Sequence, residues 1–121
     1  MPMKTNESAE NYLETILILS KAQPAVRSID IAEKLGFKKS SVSVAMKHLR
    51  ENEHITVSKD GFITLTETGR EIAEMIYERH ELLTAWLMRL GVDQNTAADD
   101  ACKIEHVISK ESFDVIKQHI H

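Results

Sequence analysis

Apolar and polar positions along the chain fall into a few periodic segments separated by turn signals. In ENYLETILILS, residues 10–20, Tyr12, Leu13, Ile16, Leu17 and Leu19 recur at helical spacing, which predicts an amphipathic helix ending before Pro24. The next stretch, RSIDIAEKLGFKKSSVSVAMKHLRENEHI, reads as two short helices around a glycine. Ser28 is the expected cap of the first, which runs through Ile29, Ile31, Ala32 and Leu35. Gly36 suits the left-handed position after its last turn. Ser40 or Ser41 is expected to cap the second, whose Val42, Met46 and Leu49 form one buried stripe. Helix, tight turn and helix in this order make a helix-turn-helix.

The period then shortens. In HITVSKDGFITLTETG two β-prone runs, ITV and FITLT, flank SKDG, and Asp60-Gly61 is a hairpin turn signal. A hairpin directly after a helix-turn-helix is a winged helix. Thr66 can cap a long helix over about residues 67–90, with Ile72, Ile76, His80, Leu83, Leu87 and Leu90 on one side and Met75, Leu82 and Trp86 widening the apolar surface. That is more apolar surface than one packing face needs, which predicts a second copy of the chain as partner, with Leu82, Leu83, Trp86 and Leu87 at the contact. Gly91 ends the helix, another begins near Asn95 or Thr96, and ESFDVIKQHI is a short last one. The expected fold class is therefore mainly α. A winged helix-turn-helix DNA-binding domain with a small β-hairpin wing occupies residues 1–70, and an all-helical dimerisation domain follows over 71–121.

Composition narrows the setting. The 121 residues are 42% hydrophobic, with only 4 Gly and 2 Pro, which fits a packed core and argues against disorder. No apolar run approaches the roughly 18 residues of a membrane span. MPMKTNESAENY has no apolar signal region, and the single cysteine rules out an internal disulfide framework. A cytoplasmic protein with no membrane partner is expected. The net charge of −4 is unevenly spread. Residues 27–60 carry seven basic and five acidic side chains, whereas residues 61–121 carry six and eleven. A basic winged helix joined to an acidic helical segment points to nucleic acid at one end and a different task at the other.

In a helix-turn-helix the second helix enters the major groove. Its outward positions here are Ser40, Ser41, Ser43, Val44, Lys47 and His48, preceded by Lys38 and Lys39. Serine hydroxyls, ammonium groups and the helix N-terminus all suit phosphate oxygens. Arg27 and the wing residue Lys59 are expected to add backbone contacts. The N-terminal end of this face has no Arg, Asn or Gln, so bidentate base reading is poorly supplied. Specificity should then lean on DNA shape, on Val44 against thymine methyls and on dimer spacing.

A second candidate lies in DDACKIEHVIS. On a helix, Cys102, Glu105 and His106 share one face, and thiolate, carboxylate and imidazole are all ligands for divalent transition metals. Three ligands do not complete a shell, and the plain alternative is a packed cysteine beside solvated polar residues.

The stretches ENYLETI, SIDIAEKLGFKKSSVSVAMKHL, ITLTETGREIA, RHELLTAWL and DDACKIEHVIS resemble the DtxR/MntR family of metal-dependent transcriptional repressors from about residue 8 to residue 115. The resemblance implies a cytoplasmic homodimer that binds double-stranded operator DNA when Fe²⁺ or Mn²⁺ sits between its DNA-binding and dimerisation domains. Matched position by position, it implies Asn11 where family members carry Met or Asp, Glu14 as a second ligand on the first helix, and His80 from RHELL. It also implies Cys102 as in iron-type members, with Glu105 and His106 common to both types. The ancillary site of iron-type members is expected to be lost, because Thr84 and Ala98 stand where an acid and a histidine belong. A second site of the manganese type, from Glu14, His80 and Glu105, remains open. Many iron-type members have a further SH3-like domain, which is not expected in these 121 residues. The neutral oxygen of Asn11 and the soft sulfur of Cys102 favour Fe²⁺, with Mn²⁺ next and Co²⁺, Ni²⁺ and Zn²⁺ acceptable in vitro.

Two other classes fit less well. A metal-independent winged-helix regulator could sense oxidation through Cys102, although the neighbouring Asp99, Asp100 and Glu105 disfavour a reactive thiolate. A hydrolase would need a substrate cleft and an open coordination position. No phosphate-binding glycine loop or nucleophile elbow is present, so neither enzyme activity nor a small-molecule substrate is expected.

Overall fold

The computed structural model describes residues 7–120 and divides into two compact units that meet in sequence between Glu74 and Met75. In the first, α1 (Glu7–Ala22), α2 (Ser28–Leu35) and α3 (Lys39–Glu51) are followed by β1 (Ile55–Val57), β2 (Ile63–Leu65) and the opening turns of α4 (Glu67–Arg89). α1 packs on α2, α3 and β2, and α3 packs on α2 and β1. The shared core takes Leu13, Ile16 and Leu17 from α1, Ile31 from α2, and Val42, Met46 and Leu49 from α3, with Ile55, Ile63 and Leu65 from the hairpin. Most of the apolar positions seen in the sequence are thus buried; Ile29 of α2 is exposed, and Leu19 and Leu35 are half-buried.

Two helix starts differ from expectation. Ser28 is the first residue of α2, and Arg27 occupies the cap, its N–H donating to the Asp30 carboxylate at 2.9 Å. The Asp30 carboxylate thus satisfies the cap residue's own N–H, the return half of a capping box. α3 begins at Lys39 with Lys38 at its cap, so Ser40 and Ser41 lie inside the first turn. The cause is the tight turn before it. Gly36 is left-handed (φ 70°), and the N–H groups of Gly36 and Phe37 both return to the Ala32 carbonyl at 2.9 and 3.1 Å. The chain consequently re-enters helix before it reaches the serines.

The hairpin is antiparallel, with Ile55 opposite Leu65, Thr56 opposite Thr64 and Val57 opposite Ile63. Its turn closes through Gly61 N–H to Ser58 O at 3.0 Å, with Gly61 at φ 86°. As expected, Thr66 caps α4, accepting from Gly69 N–H at 3.2 Å, and its hydroxyl donates to Glu53 O at 2.7 Å. This corner is close-packed: a Cβ on Gly69 would lie 1.9 Å from the His54 carbonyl oxygen.

The second unit holds the rest of α4 with α5 (Gln94–Ile104) and α6 (Lys110–His119). Asp93 caps α5 through Asn95 N–H at 3.1 Å, and Ser109 caps α6 through Ser112 N–H at 3.0 Å. Leu83, Ala101 and Phe113 form the core, with Leu82, Trp86, Ile104 and Ile108 packed against it. Leu90, expected as the last apolar position of the long helix, lies beyond its end and is 66% exposed. The chain turns there through Gly91 (φ 107°), with Val92 N–H returning to Leu87 O at 3.0 Å. Among the described residues no helix is long and apolar enough to cross a membrane.

Candidate metal centre and nucleic-acid interface

Helical spacing places Cys102 and Glu105 on one side of α5, with Glu105 as its C-terminal cap residue and His106 next in the connection to α6. The ligand atoms of Cys102, Glu105 and His106 all lie within 4.8 Å of one another. Metal–ligand bonds of about 2.0–2.3 Å put neighbouring donor atoms about 3–4 Å apart, so small side-chain rotations suffice to close the set on one cation. The Glu105 side chain is fully buried and that of His106 nearly so at 2%, whereas Cys102 is exposed. The cluster is therefore dry on one side and open on the cysteine side.

Glu105 joins the cluster to α4. One carboxylate oxygen, Oε2, is 3.0 Å from His80 Nδ1, reached from α4. The other, Oε1, lies 3.3 Å from His106 Nε2 and, among the described residues, has no hydrogen-bond partner. A buried carboxylate oxygen left so costs free energy unless something else satisfies it. Thiol, carboxylate and imidazole with ligand atoms within 4.8 Å of one another are a donor set suited to a divalent transition metal. Thr84 is committed elsewhere, its hydroxyl donating to His80 O at 2.7 Å. In the first unit, Asn11 and Glu14 lie on α1; Asn11 is half-buried with its carbonyl accepting from Thr15 Oγ1 at 2.8 Å, and Glu14 is buried.

The outward face of α3 is as drawn from the sequence. Lys38, Lys39, Ser40, Ser41, Ser43, Val44 and Lys47 are all exposed, Val44 at 56%. Lys59 is exposed in the hairpin turn. Arg27 is exposed too, but its guanidinium stacks 4.5 Å from the centroid of the Phe62 ring. Next to it, Ile63 N–H donates to Val26 O at 2.7 Å. The base of the wing is thereby fastened to the segment before α2, a contact across 35 positions that no local pattern announces. Phe62 was missed for that reason.

Of the four apolar residues read as a dimer contact, Leu83 is fully buried in its own unit's core. Leu82 and Trp86 pack partly buried against that core, and Leu87 is half-buried. Sequence reasoning also passed over Arg79. It is 8% exposed, and one of its nitrogens donates to both Glu105 O at 3.0 Å and Ile108 O at 3.1 Å. Arginine is rarely buried, so its place before His80 was no signal.

Comparison with known proteins agrees with this architecture. Residues 4–62 match the N-terminal DNA-binding domain of iron-dependent repressors, and residues 66–121 match the metal-binding and dimerisation domain of the same repressors. The chain is 37% identical over 112 residues to the HTH-type transcriptional regulator MntR of Bacillus pumilus (strain SAFR-032), covering 93% of this chain and 78% of that one. It is 33% identical to an HTH-type transcriptional regulator of Methanocaldococcus jannaschii, covering 93% and 91%. A solved manganese-dependent transcriptional repressor in complex with manganese superposes with a TM-score of 0.85 at 29% identity, over 93% of this chain and 52% of that one. These relatives are regulators of transcription, not enzymes. With both halves matched in order, the chain belongs to the iron-dependent repressor family, the DtxR/MntR group of metal-dependent transcriptional regulators.

Proposed function

We propose that this protein is a homodimeric repressor that binds operator DNA when a divalent metal, Fe²⁺ ahead of Mn²⁺, is held by Cys102, Glu105 and His106. The observation that supports this reading most strongly is the buried Glu105 carboxylate, with one oxygen turned to His80 and the other left for the His106 and Cys102 side. Following the family pattern, His80 belongs to the same centre, and Asn11 and Glu14 are the ligands that α1 would add. A bound cation would supply positive charge to satisfy these donors. The residues themselves set its selectivity: the Cys102 sulfur and the Asn11 amide oxygen shift preference from Mn²⁺ toward softer ions.

DNA is met by the exposed face of α3, by Lys59 and by Arg27. Leu82, Trp86 and Leu87, with Leu83 beneath them, are assigned to the side of α4 facing a second copy. Control is by linkage: the DNA-competent state has the higher affinity for metal, so metal raises affinity for DNA by the same factor.

The test is binding of the metal-free protein to DNA from upstream of its own gene, kept anaerobic, with Fe²⁺ and Mn²⁺ titrated separately. Either metal should tighten binding by more than about tenfold, equivalent to roughly 1.4 kcal/mol of coupling, with reversal by chelator, and Glu105→Ala should abolish the response. Binding equally tight with chelator and with metal would sink the sensor reading. The exposure of Cys102 keeps an oxidation sensor as the second reading. A response to peroxide that is lost in Cys102→Ser, in a protein indifferent to chelator, would favour it.

A further inference from the structure

We propose that Arg79 is the positioning residue of the metal centre, holding the backbone that carries Glu105 and His106 so that both ligands are set before metal arrives. The inference rests on the metal-binding reading above and concerns a residue that is not itself a ligand.

Arg79 and His80 are adjacent on α4, so their side chains leave the helix about 100° apart. They reach the same residue by different routes. His80 approaches the Glu105 carboxylate. Arg79 takes the Glu105 main chain: a single terminal nitrogen donates to Glu105 O and to Ile108 O, at 3.0 and 3.1 Å. Those two carbonyls bracket His106. Between them the backbone is closed by Val107 N–H and Ile108 N–H, both to Ile104 O at 3.0 Å. The far side of the guanidinium rests 5.4 Å from the Phe113 ring centroid, which ties α6 into the same knot.

The arrangement is demanding. A buried cation is expensive unless its donors are matched, and the Nε of Arg79 has no partner among the described residues. What compensates it is the negative end of α5, whose last carbonyls have no partner within their own helix. A methionine here would pack more cheaply. The guanidinium instead supplies a rigid donor that fixes one ligand's backbone while its neighbour fixes that ligand's side chain, the division of labour expected of groups that orient metal ligands.

The experiment compares Arg79→Met, Arg79→Lys and Leu83→Val, the last weakening the same core while leaving the hydrogen bonds of Arg79 in place. Two readouts are taken on the full chain. In metal-free protein, amide exchange at Val107 and Ile108 should quicken in Arg79→Met beyond its change in Leu83→Val. With Co²⁺ as probe, Arg79→Met should bind about 10–100-fold more weakly with an altered thiolate-to-cobalt absorption band, Arg79→Lys should recover part of both, and Leu83→Val should keep the wild-type spectrum. A folded Arg79→Met with wild-type affinity, spectrum and exchange overturns the proposal. If Arg79→Met fails to fold, Arg79→Lys decides: unchanged affinity and spectrum overturn it equally. Glu105→Ala in parallel separates the two failures. Retained Co²⁺ binding there removes the metal-site reading, whereas loss there with none in the Arg79 variants removes only the role of Arg79.

Discussion

Replacing Gly69 by alanine sets two effects of opposite sign against each other. Gly69 lies in the first turn of α4, and in a helix Gly→Ala ordinarily stabilises by about 1 kcal/mol. The new methyl, however, would sit 1.9 Å from His54 O and 2.9 Å from His54 C. These are backbone atoms, which cannot swing aside as a side-chain end can. Ordinary contact between such atoms requires about 1.5 Å more. The required movement takes His54 O from Thr66 N–H, now at 3.1 Å, and disturbs the 2.7 Å bond from the Thr66 hydroxyl to Glu53 O. Two hydrogen bonds contribute about 2 kcal/mol, and forcing an extra methyl into a closed site costs about 1–3 kcal/mol. Less the helix gain, Gly69→Ala should destabilise by about 2–4 kcal/mol. The assay is equilibrium urea unfolding followed by far-ultraviolet circular dichroism. At slopes of about 1–3 kcal/mol per molar, the midpoint should fall by about 0.7–4 M with the slope unchanged. A midpoint equal to wild type or higher would refute the reasoning, and with it the closeness of the corner from which the wing strands leave.

Other outcomes follow from the same geometry. Phe62→Leu and Arg27→Gln should each weaken DNA binding, and the double variant should lose less than the sum, with a coupling of about 0.5–1 kcal/mol. If Arg27 also meets a phosphate, its loss should lower the salt slope by about one ion, while Phe62→Leu leaves the slope alone; strict additivity would mean the stack positions nothing. On α6, the Lys110 ammonium 2.7 Å away holds the Asp114 carboxyl below its ordinary 3.8. Because the folded value is depressed, the pair's contribution is present above that ordinary value and disappears as pH falls through the folded one. A carboxyl titration by NMR should show this, with Lys110→Gln returning Asp114 toward 3.8.

The parts of this structure that were legible in the sequence are those fixed by short-range periodicity. Val42, Met46 and Leu49 are buried as their spacing requires, and Gly36, Gly61 and Gly91 take left-handed backbone where turns were expected. Cys102 and Glu105 share a side because three residues make nearly one helical turn, and His106 joins them from just past the helix end. What was not legible depends on distant partners. The Arg27 cap was hidden because arginine is not among the usual cap residues, and the Asp30 carboxylate that binds its N–H lies inside the helix. The Arg27–Phe62 stack, the Arg79 clamp across 26 and 29 positions, and the contact of Gly69 with His54 need the fold to bring them together. Leu83 looked like surface because a periodic stripe does not say whether its own unit or another chain will cover it.

Among the described residues, Glu53 is the non-glycine residue with positive φ, at 63°. Its backbone is disfavoured locally by about 1–2 kcal/mol, and it is held by Thr66 and Thr68, whose hydroxyls donate to Glu53 O from 13 and 15 positions further on. Those hydroxyls arrive only after the hairpin has closed and α4 has begun. Glu53 is therefore a local cost offset by contacts distant in sequence. The consequence is kinetic. If those contacts close after the rate-limiting barrier, removing either hydroxyl should shorten the lifetime of the native state and leave its rate of formation almost unchanged; a slowed rate of formation would place them before it.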